Sequence, residues 1–383
     1  MKTIYFLVIL LLIGELVAQT DSVNVKFIVY TTNRIADSSS IYVVGNNSQL
    51  GSWSAGKVRL TRLDDTTFIG DFKFTLNESL EFKFTRGSWS NEAVSKGGKI
   101  LKNHTLRVAN DTVLTFNISH WKDEFEYEVQ GQITGEVNYI EQIKTRDELL
   151  PRDVIIWTPS NYHKNFDQRY PVLYMHDGQN IVDPATSSFG VDWQVDETAD
   201  SLISNNIIEP IIIVGIYSTD NRFVEYSEND TGYAYIDFIV EDLKPLIDTN
   251  YRTKPDRINT AIAGSSMGGL ISFMAAWERP EIFSKAACLS PAFKIRNFDF
   301  VDNVQSYSGV KKEIQLYIDN GGVGLEDSLQ YGIDEMLNAL HQKGVELGKD
   351  LIYFKDKNAL HNEAAWAERN WRYLTFFFGR GSN

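Results

Sequence analysis

Two rhythms of apolar residues divide the chain. From about Asn24 to Asn117, short runs alternate apolar and polar positions with a period of two: VKFIVY, IYVVG, TFIGDFKF, LEFKFTRG and VLTFNI. That alternation marks strands with one face in a core and the other in water. The intervening GNNSQLGSWSAG, LNES and SKGGK carry the Gly, Asn and Ser of turns. With no helical window among them, residues 22–120 read as an all-β, immunoglobulin-like sandwich.

After Trp121 the rhythm changes. Residues 121–135 are charged and then mixed, and read as a linker. From about Asp153, continuous apolar runs (DVIIWTP, YPVLYMHDG, PIIIVGIYS, NTAIAGSS, KAACLSP, EIQLYIDNG, LIYFKDK) read as strands buried on both faces. Amphipathic stretches such as DWQVDETADSLISNN, GLISFMAAWERP and SLQYGIDEMLNALHQKG follow several of them at helical spacing. Strand and helix in alternation predict a mainly parallel sheet with helices on both faces over residues 136–380, with its site at the carboxyl ends of the strands.

The start of the chain departs from both rhythms. Lys2 precedes a short apolar core, Ile4 to Ile13, and Leu16-Val17-Ala18 offers a cleavage site. Residues 1–18 therefore read as a signal peptide, about half the length that a membrane span needs (~20 residues). The expectation is a secreted or periplasmic protein, free of the membrane once the signal is removed.

Composition narrows the partners. The chain has 37 Lys and Arg against 51 Asp and Glu, a net charge of −14, which argues against nucleic acid as a ligand. Cys288, in KAACLSP, is the single cysteine, so no intramolecular disulfide can form and a buried, inert thiol is expected. No Cys/His spacing suggests a metal site, and no cofactor is implied.

Candidate chemistry enters at GSSMG, Gly264–Gly268, a Gly-x-Ser-x-Gly pattern centred on Ser266. Alone it occurs by chance in about one chain in ten of this length. Here it closes a buried strand and opens an amphipathic helix, the sharp turn that lifts a serine oxygen out of the backbone. The N–H of Met267 then opens the helix as an oxyanion donor, and that of Gln179, in the loop after PVLY, is a second. Among the histidines, His361 lies between the last strand and the last helix and is the candidate base. The acid that orients it is expected after EIQLYIDNG, in GVGLEDSL, read as a loop: Asp327 is preferred, with Glu326 in the same loop and Asp319 at the strand's end competing. His176 and Asp177 precede the serine and read as shaping their loop.

Residues from about 130 to 380 resemble the esterase family of α/β hydrolases that includes esterase D-like, feruloyl and siderophore esterases. The likeness rests on VLYMHDGQN, WQVDE at Trp193–Glu197, NRFVEYS at Asn221–Ser227, GSSMGG and HNEAAW at His361–Trp366. It implies an α/β-hydrolase domain in which Ser266, Asp327 and His361 form a Ser-His-Asp triad. The first domain is similar to family-20 starch-binding modules, through IYVVGNNSQLGSW and LEFKFTRGSWSNE. That resemblance implies a sugar platform of Trp53 and Trp89, with Lys83 and Asn103 beside it. Together the readings give an exported ester hydrolase acting on acetyl or feruloyl esters of carbohydrates and holding a starch-like glycan. The alternatives are a siderophore or small-molecule esterase, or a glycan-binding protein without catalysis.

Overall fold

The computed structural model describes residues 22–36, 39–98, 101–124, 133–146, 149–188, 190–295 and 298–380. Residues 1–18, expected to be a signal peptide, and the middle of the expected linker lie outside the described residues. Among those described, no helix is long and apolar enough to cross a membrane.

The N-terminal half is a sandwich of two four-stranded sheets. One has the order Thr61–Arg62, Thr67–Thr75, Ser22–Thr31, Thr112–Ile118, and the other Val58–Arg59, Tyr42–Gly45, Ser79–Thr85, His104–Arg107. All pairings are antiparallel except that of Ser22–Thr31 with Thr112–Ile118, which runs parallel from Val25↔Thr112 to Thr31↔Ile118. Alternate residues Val23, Val25, Phe27 and Val29 point into one core. There Phe27 stacks on Phe82 with centroids 4.7 Å apart and meets Phe116 edge-on at 5.5 Å. Such aromatic pairs add about 0.5–1.5 kcal/mol each beyond the area they bury.

The C-terminal half is built on an eight-stranded sheet: β1 (Glu136–Ile143), β2 (Arg152–Thr158), β3 (Val172–His176), β4 (Ile212–Ile216), β5 (Thr260–Ser265), β6 (Lys285–Leu289), β7 (Gln315–Asn320) and β8 (Leu351–Lys355). The spatial order is β1-β2-β4-β3-β5-β6-β7-β8, and only β2 opposes the direction of the others. Both faces are covered, because neighbouring strand residues enter different cores. Val154 and Ile156 pack on one side with Val172 and Tyr174, while Ile155 and Trp157 pack on the other with Leu173 and Met175. Helix α1 (Val195–Ser204) covers the second face. Helices α2 (Met267–Glu278) and α3 (Leu325–Gln342) cover the first, and α4 (Asn370–Phe378) returns to the second. Every residue of α2 from Met267 to Trp277 is buried, which marks it as the central helix of the domain. Cys288 is buried on the α2 face, and burial raises its thiol well above the ordinary value.

Candidate active site

The β5–α2 junction sets Ser266 in place. Its φ of 58° and ψ of −121° lie outside the regions an L-residue favours, at a cost of about 1–3 kcal/mol. Backbone bonds on both sides hold the turn: Ser266 N donates to Leu289 O at 2.9 Å, and Ser266 O accepts from Leu270 N and Ala292 N, each at 3.1 Å. Gly264 is required for space, since a Cβ there would sit 2.6 Å from Gly268 O. Met267 follows as the first residue of α2, where an N–H has no acceptor within the helix.

His361 lies in the loop between β8 and the short helix Glu363–Ala367, and its ring meets Trp366 edge-on at 5.0 Å. Its Nδ1 faces Glu326 Oε1 at 3.4 Å, without the alignment of a closed hydrogen bond. Glu326 is fully buried and accepts a 2.7 Å hydrogen bond from Ser290 Oγ. Burial works to raise its carboxyl, but the facing His361 ring, the Ser290 hydroxyl and the Arg369 charge hold it below the ordinary glutamate value.

The preferred Asp327 is therefore not brought to His361. GLEDSL is the first turn of α3 and not a loop, so adjacent side chains point about 100° apart. Glu326 shares the inward stripe of Leu329, Ile333, Met336 and Leu340, whereas Asp327 shares the exposed stripe of Tyr331, Asp334 and Asn338. Asp319 is buried but already engaged. It accepts from Arg369 Nε at 2.9 Å, Arg369 Nη2 at 3.2 Å and Tyr317 OH at 3.0 Å.

The β3 loop supplies the opposite wall. Gly178 packs so closely on β4 that a Cβ would lie 2.4 Å from Gly215 C. Gln179 is clamped to Ser218, donating from Nε2 at 2.6 Å and accepting from Ser218 N at 3.1 Å. Asp177, with φ of 56°, receives a bidentate bond from Arg222 at 2.6 and 2.7 Å. Arg152 holds Glu225 in the same fashion at 2.9 and 3.1 Å, so Arg222 and Glu225 of NRFVEYS tie their loop to the site. His176 is buried against Tyr235 OH, 2.9 Å from Nδ1, and burial pushes it down to about 3. A ring kept neutral there serves packing.

Ser266, His361, Gln179, Arg222, Trp53 and Trp89 line one cavity of about 670 Å³. The buried carboxyl of Glu363 also lines it, raised to about 7 by burial. Trp53 and Trp89 therefore come together as expected, with centroids 6.3 Å apart and planes tilted by 33°. Their expected neighbours do not join them. Lys83 is buried, and its Nζ pairs with Glu92 Oε2 at 2.8 Å, so it cannot stand beside the platform. Asn103 donates to Glu81 Oε2 at 3.1 Å, and neither it nor Lys83 lines the cavity.

Among the described residues, Asp192, Asp196 and Glu197 have oxygens close enough to share a cation, all within 4.8 Å. Asp196 Oδ2 already accepts from the N–H and hydroxyl of Thr134, at 2.7 and 3.1 Å. Burial, then the neighbouring Glu197, raises Asp196 to about 8, so Asp196 holds a proton at neutral pH and the cluster carries one negative charge fewer.

The family comparison matches this architecture. The model described as "Putative esterase" matches residues 150–370, and the model "Starch binding domain" matches residues 22–115. The chain belongs to the putative esterase family, whose chemistry is carboxylic-ester hydrolysis. It is 33% identical over 139 residues to the endo-1,4-beta-xylanase/feruloyl esterase of Xylanibacter ruminicola, a match covering 35% of this chain and 19% of that protein's length. A solved ferulic acid esterase matches with a TM-score of 0.52 and 21% identity, over 64% of this chain and 99% of its own. The enterochelin esterase of Shigella flexneri matches with a TM-score of 0.54 and 14% identity, over 94% of this chain and 93% of its own. That second likeness, one of fold, extends across both halves of the molecule.

Proposed function

We propose that the protein is an exported serine carboxylic-ester hydrolase of the α/β-hydrolase type, acting on esters carried by carbohydrate. The observation that carries the reading is Ser266 on its strained corner, in one cavity with a histidine backed by a buried carboxylate. The chain order Ser266, Glu326, His361 is the nucleophile–acid–base order of α/β hydrolases. Ser266 Oγ attacks the ester carbonyl carbon as its proton passes to His361 Nε2, and Glu326 stabilises the imidazolium. The N–H groups of Met267 and Gln179 receive the oxyanion. The carbon–oxygen bond breaks, and the alcohol leaves with the proton from His361. Water, deprotonated by His361, then releases the acid and regenerates Ser266.

A carbohydrate ester is favoured by the starch-binding-domain match and by the relative named a feruloyl esterase. A siderophore ester is the second reading, favoured by the two-domain likeness to the enterochelin esterase. Hydrolysis of a panel of acetylated sugars, feruloylated sugars and catechoyl-serine esters separates them. Ser266→Ala is expected to lower the activity at least 10³-fold; equal turnover by this variant overturns the catalytic assignment.

A further inference from the structure

The sandwich and the catalytic sheet meet at the site itself. Trp53 and Trp89 belong to the first, Ser266, His361 and Trp366 to the second, and all five line the same cavity. A volume of about 670 Å³ falls within the range of small-molecule sites (~300–1,000 Å³). The two halves also approach at the start of α3, where a Cβ on Gly324, two residues before Glu326, would lie 3.7 Å from Glu81 Oε1.

The sandwich displays its indoles at a cost. Trp53 has a φ of 66°, directly after Ser52 at 50°, a left-handed pair in which a bulky residue is a genuine outlier. The turn is fixed by Trp53 N donating to Gly45 O at 2.8 Å. Trp89 opens a single 3₁₀ turn whose entry is tied by Asn91 Oδ1, which accepts from Arg86 N and Ser88 N, both at 3.0 Å. Neither indole joins the sandwich core. Strain of this kind persists where the surroundings enforce a functional geometry. Around the pair the wall is polar, with Ser52, Ser54 and the exposed Lys57. Indole faces beside hydroxyl and ammonium donors suit a ligand with apolar C–H faces and a rim of hydroxyls, which is the chemistry of a sugar ring.

We infer that Trp53 and Trp89 form the sugar-binding subsite of the catalytic cleft, holding the carbohydrate side of the ester while its carbonyl lies at Ser266. The sandwich then contributes to substrate recognition directly and is not a remote anchor on a polysaccharide. This inference rests on the hydrolase reading above.

A subsite inside the cleft makes an unesterified oligosaccharide compete with any ester for the same space. Maltohexaose and xylohexaose are added to the full-length protein while it cleaves p-nitrophenyl acetate. Competitive inhibition by one of them is expected, with the inhibition constant raised about tenfold or more in Trp53→Ala and in Trp89→Ala, the usual loss on truncating an anchoring aromatic. The same variants are expected to lower kcat/KM for a feruloylated oligosaccharide relative to methyl ferulate by a similar factor, mainly through KM. Trp371→Ala, at an exposed tryptophan on α4 outside the cavity, leaves both quantities unchanged. The inference is overturned if neither sugar inhibits and the substrate ratio is unmoved in folded Trp53→Ala and Trp89→Ala. It is also overturned if those variants lose retention on insoluble starch while inhibition by the soluble sugars persists at wild-type strength. Failure of the hydrolase reading would look different, as full turnover by Ser266→Ala.

Discussion

The two halves of the molecule neutralise buried charge differently. The sandwich buries a lysine, Lys83, against Glu92, and Lys122 Nζ stands 3.7 Å from the second Glu92 oxygen. Around its site the C-terminal half uses arginines, Arg152 on Glu225, Arg369 on Asp319 and Arg222 on Asp177, each through two nitrogens, while away from the site the buried Lys244 pairs with Asp248 at 2.6 Å. An ammonium is a point charge that balances a neighbour without fixing its plane, whereas a guanidinium fork fixes orientation. Loops that must hold a geometry receive the fork. Among the buried carboxylates around the site, Glu326 and Glu363 lack a fork, and Glu326 is left facing a histidine. A carboxylate clamped by arginine supports structure; one reserved for an imidazole can answer its change of charge.

The sharpest way to break that contrast is at the two adjacent acids. Glu326→Gln is expected to lower kcat on a small ester by roughly 10²–10⁴-fold with its fold intact, as loss of a triad carboxylate does, whereas Asp327→Asn stays within about twofold. Comparable losses in both would return the acid to an open question. Next is Arg152→Met, which strands Glu225 in the interior. Denaturant unfolding should show a loss of about 3–5 kcal/mol, against little or none when Glu225→Leu accompanies it. A milder change is Arg222→Lys, which keeps the charge and loses the fork. It should cost about 1–2 kcal/mol of positioning, read as lower kcat with a small change in melting temperature.

The smallest effect concerns pH. Asp196 is protonated in the folded protein up to about 8, while the unfolded carboxyl ionises near 4 (~3.9). Its contribution to stability is therefore full below pH 4 and is lost as pH rises toward 8. Asp196→Asn imitates the protonated carboxyl, so thermal unfolding between pH 5 and 9 should slope less in the variant than in wild type. An unchanged slope would mean that the proton resides elsewhere.

Much of this architecture was legible in period. Val23 to Val29 alternates as a sandwich strand must, and the unbroken apolar runs of β2 to β7 match a sheet covered twice. The inward position of Glu326 was also written in the chain, since it falls three, seven, ten and fourteen residues before Leu329, Ile333, Met336 and Leu340. Reading GLEDSL as a loop hid that stripe. Lys83 misled for another reason. In LEFKFT it alternates with Phe82 and Phe84 and so belongs to the outer face, but residues 86–94 fold over that face and bring Glu92 to it. The position of Trp53 and Trp89 in one cavity with Ser266 depends on how two domains dock, and no local period encodes docking.

The parallel pairing of Ser22–Thr31 with Thr112–Ile118 has a mechanical consequence. The first and last strands of the sandwich lie side by side, so tension applied between its ends slides one strand along the other. Their hydrogen bonds are then loaded together and in shear, where a hairpin pulled from its open end would release them one at a time. The module is braced against pulling along the chain.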